Sequence, residues 1–325
     1  MHLSSLFISF LIIFSLAFQC TCLGSGSDSL EKNIPWAYER QRVFVQFWEN
    51  PALTGTAGKN NLYIQTTARL GLNHRYNLAY DFRLGDSEQW GLGISYTHSA
   101  IGRLYDVFPW DATLMADVFQ LATSYRFEIN DHRLRPGLSI GYGVHKVDRE
   151  NLVFGDQIDP GYGFVNMTNE TFVNDVRGYW DINLGFEYLF KNYYLEIVLQ
   201  HANQPSVGIN SFISVEKPLE LVVHTGLRMR VNNKMVLSPY VIYERLYYYN
   251  TITPGLVSEI GDKYIVGFSY MDLNTVTVDF GMNINKKLRA LASLGFLTES
   301  RLAQLNWVGY SKWSITYFIN GRSGA

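Results

Sequence analysis

The chain has 325 residues, and its 27 Lys plus Arg against 29 Asp plus Glu leave a formal net charge of −2, which excludes a globally basic nucleic-acid binder and an acidic disordered tail. A mean hydropathy of −0.05 excludes a helical multi-span membrane protein. With 47% hydrophobic but only 17% charged residues, and with 22 Tyr, 20 Phe, 7 Trp and 27 Gly, the composition is too aromatic and charge-poor for an ordinary soluble enzyme. It suits a β protein with a lipid-facing surface.

The only long apolar stretch, Leu3 to Phe18, is followed by the polar run Gln19-Cys20-Thr21-Cys22 and reads as a secretory signal peptide over residues 1–24. A lipid on Cys20 would be the alternative, but Ala17-Phe18-Gln19 is a poor lead-in for it. Both cysteines lie at the cleavage point, so disulfides are not expected to hold the mature fold. No later segment reaches the ~18 apolar residues of a spanning helix. Membrane residence therefore requires a closed β-barrel, the other structure that satisfies its backbone groups in lipid.

Residues 25–59 lack strand alternation yet carry Trp36, Tyr38, Phe44, Phe47 and Trp48. Two readings stay open: a segment that folds back to plug the lumen or line the periplasmic mouth, with Asn50-Pro51 turning into the barrel, and a structural lid without a partner.

From Asn61 onward the sequence alternates with period two, which places residues 60–325 in an outer-membrane barrel. In His132 to Lys146 the outward set is Leu134, Pro136, Leu138, Ile140, Tyr142 and Val144, and the inward set includes Arg135, Gly137, Ser139, Gly141, Gly143 and His145. The pattern recurs from Trp90, Trp180, Leu219, Val276 and Trp313. Polar turns at Gly85-Asp86-Ser87, Asn130-Asp131, Lys191-Asn192, Asn232-Asn233, Gly261-Asp262 and Asn285-Lys286-Lys287 suit short periplasmic connections. Longer loops near 99–112, 147–175, 203–217 and 299–309 fall on the other side, with tighter turns near Asn73 and Asp272-Leu273. Counting hairpins predicts an all-β, antiparallel up-and-down transmembrane barrel of about 14 strands with both ends periplasmic. Pro254 and Gly255 make Thr251 to Ile260 its poorest strand.

Catalytic chemistry has little support. The seven His lie apart, without HExxH or paired Cys, so no metal ligands and no cofactor are expected. Gly137-Leu138-Ser139-Ile140-Gly141 matches the G-x-S-x-G pattern, but that motif needs a strand-to-helix turn and here lies inside an alternating strand. Charges gather at the short-turn end, among them Arg126, Arg133, Arg228, Lys234, Lys263, Lys286 and Lys287. They read either as side chains clustering where strands leave the lipid or as a basic rim that docks an acidic partner.

The run Phe44-Val45-Gln46-Phe47-Trp48-Glu49-Asn50-Pro51-Ala52-Leu53-Thr54-Gly55 resembles the signature of the PorP/SprF family, outer-membrane proteins of type IX secretion and gliding motility in Bacteroidota. Phe47, Asn50, Pro51, Ala52 and Gly55 carry that likeness. Trp90 to Ser95, the loop Leu152 to Pro160, Tyr194 to Pro205 and the closing pair Leu288 to Phe296 and Trp313 to Phe318 extend it over most of the mature chain. Glu49, where a neutral residue is expected, and the tail Asn320 to Ala325 depart from the pattern.

The resemblance implies a non-enzymatic, integral outer-membrane accessory of protein export. Its implied partners are outer-membrane lipid, a large surface protein with a type B C-terminal domain, type IX translocon components and, for some members, a periplasmic peptidoglycan-binding lipoprotein. Asp156, Gln157, Asp159, Tyr162 and Phe164 are the candidate partner-binding residues, because a loop of mixed aromatic and acidic residues supplies anchors with polar edges; a loop that only folds over the barrel mouth is the other reading. An outer-membrane channel or hydrophobic-substrate transporter is the alternative, since a barrel of this size also supports one.

Overall fold

A computed structural model describes residues 46–69, 73–85, 89–101, 113–148, 158–159, 161, 163–164, 176–208, 215–246, 249–261, 263–271, 275–297 and 308–319. The expected signal peptide lies outside them. The chain divides into a unit at Met1–Trp36 and a second at Ala37–Ala325, which holds every element described below.

Fourteen strands form the barrel. They are β1 (Asn60–Arg69), β2 (Asn73–Leu84), β3 (Trp90–Ile101), β4 (Thr113–Tyr125, resumed at Phe127–Ile129), β5 (His132–Asp148), β6 (Val176–Phe190) and β7 (Tyr193–Gln200). The second half is β8 (Glu220–Leu227, resumed at Met229–Asn232), β9 (Met235–Leu246), β10 (Tyr249–Ile260), β11 (Tyr264–Met271), β12 (Thr275–Asn283), β13 (Leu288–Leu297) and β14 (Val308–Phe318). Each pairs antiparallel with its chain neighbours, and β1 pairs with β14 from Asn61↔Phe318 to Arg69↔Tyr310. The sheet therefore closes on itself, leaving no edge. Among the described residues no helix is long and apolar enough to cross a membrane.

Which face is apolar decides the environment. On β5 Leu138, Ile140 and Tyr142 point out and are exposed, while Ser139, Gly141 and Gly143 point in and are buried. The same holds on β12, with Phe280 and Met282 outside and Thr275, Thr277 and Asp279 inside. Trp180 and Leu121 are 62% and 57% exposed on the outer wall. A soluble sandwich would bury such residues; a barrel gives them to lipid. Aromatic clusters mark both ends of this wall: Trp90, Tyr125 and Phe127 beside the short turns, with ring centres 4.7 and 4.6 Å apart, and Tyr142 with Trp180 at the other end.

The short turns fall where the sequence predicts them. Asn130, Lys191 and Gly261 take positive φ values of 54°, 51° and 58° there, the backbone that tight hairpins demand. Both β1 and β14 also open or close the sheet at that end, which makes it the periplasmic one by the usual loop asymmetry.

Thr251 to Ile260 is a full strand despite its proline. Pairing of β10 with β11 starts at Gly255↔Ser269, so Pro254 lies beyond that ladder and needs no N–H on that side. Pro136 and Pro239 follow the same rule. Pro136 faces the break between Tyr125 and Phe127, and Pro239 the break between Leu227 and Met229. Gly255 has its own reason, since its missing side chain makes room for the Tyr240 ring, its register partner on β9.

The interior is filled by two different means. On β7 to β11 and β13 the inner face carries a buried apolar cluster of Tyr194, Val198, Val222, Tyr240, Ile242, Val257, Ile265 and Leu291. On β1 to β6 the segment ahead of β1 packs against the inner face.

Candidate functional site

Residues 46–57 form a strap inside the barrel. Gln46 accepts hydrogen bonds at its carbonyl from the Glu49 and Asn50 N–H groups at 2.9 and 3.0 Å. Asn50 then caps a short 3-10 turn, Pro51–Leu53, its Oδ1 accepting from the Ala52 N–H at 3.1 Å. An Asn cap followed by Pro suits this start, because the proline removes an N–H that would otherwise lack a partner. Gly55 ends the turn at φ 72°, a backbone that other residues adopt only under strain.

The strap lies along one rank of the wall. Register places Arg83 opposite Gly91, Gly91 opposite Ser124, Ser124 opposite Gly137 and Gly137 opposite Gly185. Four adjacent strands, β3 to β6, thereby offer a row with almost no side chain. A Cβ on Gly91 would fall on the Thr54 carbonyl, and one on Gly137 on the backbone of Pro51 and Ala52. Gly185 meets Asn50 and Ala52 in the same way, and one strand position above the row Gly93 meets the Phe47 ring.

Polar contacts hold the strap in this lane. Ser124 Oγ donates to the Thr54 carbonyl at 2.8 Å, and Arg83 Nε and Nη2 donate to the Gly55 and Thr56 carbonyls at 2.6 and 3.2 Å. The Gly55 N–H donates to Asp81 Oδ2 at 2.6 Å, while Asp81 Oδ1 accepts from Asn61 and Tyr63. Gln200 on β7 donates to the Glu49 carbonyl at 2.9 Å, and Lys312 Nζ on β14 lies 3.4 Å from Glu49 Oε1. Phe47 and Trp48 pack edge-to-face with each other and with Tyr63 over Ala79 and Ala122. Burying those two rings contributes roughly 1.5–3 kcal/mol each.

Phe47, Asn50, Pro51, Ala52 and Gly55 are thus brought together on one inner wall. Of the expected partner-binding loop, Asp159 and Phe164 lie in a two-stranded hairpin, with Ile158 opposite Phe164 and Asp159 opposite Gly163. Asp156, Gln157 and Tyr162 lie outside the described residues. At the long-loop end of the barrel, Lys217 Nζ donates to the Tyr179 hydroxyl at 2.8 Å and stands over its ring. Burial holds the Lys217 ammonium below its usual pKa range. Ser139 of the G-x-S-x-G match lies mid-strand on β5, buried, accepting from Gln120 Nε2 at 2.5 Å and Asn183 Nδ2 at 3.2 Å.

The wall residues that receive the strap were not singled out from sequence: Asp81, Arg83, Gly91, Ser124, Gly185, Gln200 and Lys312. One signal was present, since Lys312 belongs to the inward set with Ser314 and Thr316, and its register partners Thr67 and Ser293 carry no charge.

A search of curated protein sequences finds no significant match. Among solved structures, similarity is found to the outer membrane protein Omp33 of Acinetobacter baumannii, with 5% identity, 82% of this chain and 100% of that one covered, and a TM-score of 0.48. A Pseudomonas aeruginosa FadL homologue aligns with 10% identity over 83% of this chain and 93% of that one, at 0.48. The P. putida toluene transporter TodX aligns with 13% identity over 82% and 90%, at 0.46. The family model for the type IX secretion system membrane protein PorP/SprF matches residues 38–317, from ahead of the strap to the next-to-last residue of β14. The chain belongs to the PorP/SprF family of type IX secretion system membrane proteins, as an integral β-barrel of the outer membrane.

Proposed function

We propose that this barrel is a non-enzymatic accessory of type IX secretion, which helps to secrete or anchor a large surface protein carrying a type B C-terminal domain. The observation that supports this reading best is the occupied interior: the strap is seated on the inner wall of β3 to β6, and an apolar cluster is buried on the inner face of β7 to β11 and β13. A barrel filled in this way serves as a platform, and what it offers a partner is its loops, its rim and its outer wall. The cargo domain docks on the external side, with the hairpin of Asp159 and Phe164 and the adjoining Asp156, Gln157 and Tyr162 as contacts. Type IX translocon components, and a peptidoglycan-binding lipoprotein on the periplasmic side, complete the assembly; residues 25–59 are the periplasmic or plug segment left after removal of residues 1–24.

The test is a mild-detergent pulldown of the tagged protein from its native outer membrane, with mass spectrometry of what is retained. Recovery of a large secreted protein with its C-terminal domain, or of secretion-machine components, is the expected result. Recovery of the barrel alone, conducting in a planar bilayer, would replace this reading with a channel or hydrophobic-substrate transporter.

A further inference from the structure

The lipid-facing wall carries a shallow groove of about 510 Å3 over the periplasmic part of β10 to β14, with an almost wholly apolar lining. Its floor is Ala290 and Ala292 on β13. In register beside them stand Met282 and Phe280 on β12, and Ile315 and Trp313 on β14. Two outward alanines between taller neighbours make the recess, where exposed positions of other strands carry larger side chains such as Leu121, Ile140 and Phe268. Tyr264 and Ile260 carry the groove down to the periplasmic turns.

Those turns are basic. Lys234 lies between β8 and β9, Lys263 between β10 and β11, and Lys286 and Lys287 between β12 and β13, all exposed. Asp262 is the one acid in the sequence of the three turns, whereas the turns after β2 and β4 carry Asp86, Glu88 and Asp131 without a basic residue. Lys263 Nζ lies 5.3 Å from the centre of the Tyr264 ring, so the cationic rim touches the groove's lower end. An apolar slot within the lipid zone that ends in a cluster of ammonium groups matches an amphiphile with an acyl chain and an anionic head. Lys residues near an anionic lipid surface each add attraction, and aromatic rings hold the headgroup level.

We propose that this face binds one anionic phospholipid of the inner leaflet, with an acyl chain along Ala290 and Ala292 and the phosphate on Lys263, Lys286 and Lys287. The experiment is native mass spectrometry of the full-length protein in detergent, incubated with equal amounts of phosphatidylglycerol and phosphatidylcholine of identical chains. Wild type retains one phosphatidylglycerol with a preference of roughly a hundredfold, the scale that three lysines at an anionic headgroup supply. Ala290→Leu with Ala292→Leu, which fills the slot, loses retention of both lipids. Lys263→Gln, Lys286→Gln and Lys287→Gln together lose the preference. Equal retention of the two lipids by wild type overturns the proposal without any variant. Undiminished retention by the filled variant, or a second protein found on this face in place of lipid, overturns it too.

Discussion

Lys312 Nζ lies 3.4 Å from Glu49 Oε1, the lysine fully buried on the inner face of the last strand and the glutamate carried there by the strap, 263 residues away in sequence. The acid of the strap is therefore matched by a charge on the wall. Asp279 stands in the same rank, across Ser293 from Lys312, so the lysine serves a local acidic environment.

Removing one partner of a buried pair leaves the other charge without compensation, at a cost of about 3–5 kcal/mol. Lys312→Met is expected to lower the temperature at which the barrel loses its heat-modifiable mobility on gels. Adding Glu49→Gln should recover part of that loss, as the two sites are in contact. A double variant as unstable as the sum of the singles would remove the pair from the account of the strap.

The row Gly91, Ser124, Gly137 and Gly185 predicts a specific failure. Gly137→Val puts a side chain where the Pro51 and Ala52 backbone lies, and overpacking of this kind costs roughly 1–3 kcal/mol. The barrel is expected to assemble while the strap leaves its lane. A cysteine at Ala52 should then react with a water-soluble maleimide in the variant and resist it in the parent. Equal protection in both would show that the row does not seat the strap.

Deleting residues 25–58 tests what the strap blocks. The wild-type barrel is expected to show no stable conductance in a planar bilayer, and the deletion to open the half bounded by β1 to β6. Tyr194, Tyr240 and their neighbours, buried on the inner face of β7 to β11 and β13, are expected to stay in place in the deletion. Unchanged conductance on deletion would mean that the strap is not a plug.

Gly255 and Tyr240 should behave as one unit. Gly255→Val meets the Tyr240 ring, so the heat-modifiable form should become scarce. Tyr240→Ser in the same chain should restore part of it by vacating the space. Failure of that rescue would assign the loss to the backbone next to Pro254 instead.

Much of this architecture is readable along the chain. The alternation of Leu138, Ile140 and Tyr142 against Ser139, Gly141 and Gly143 is a local property of a strand, and so is the positive φ that Asn130 and Gly261 allow. Those signals suffice for a barrel, its inside and outside, its short-turn end and its fourteen strands. The family signature from Phe47 to Gly55 is legible for the same reason, since it is contiguous. The partner of that signature is not. Gly91, Ser124, Gly137 and Gly185 come from four strands and become a row only when register aligns them, and Lys312 finds Glu49 only after β14 closes on β1. Period-two patterning states which face each residue occupies but leaves open its height on that face. Height is set jointly by every ladder around the barrel, and so the seat of the strap, the groove over Ala290 and Ala292, and the tolerance of Pro136, Pro239 and Pro254 were decided by the tertiary structure.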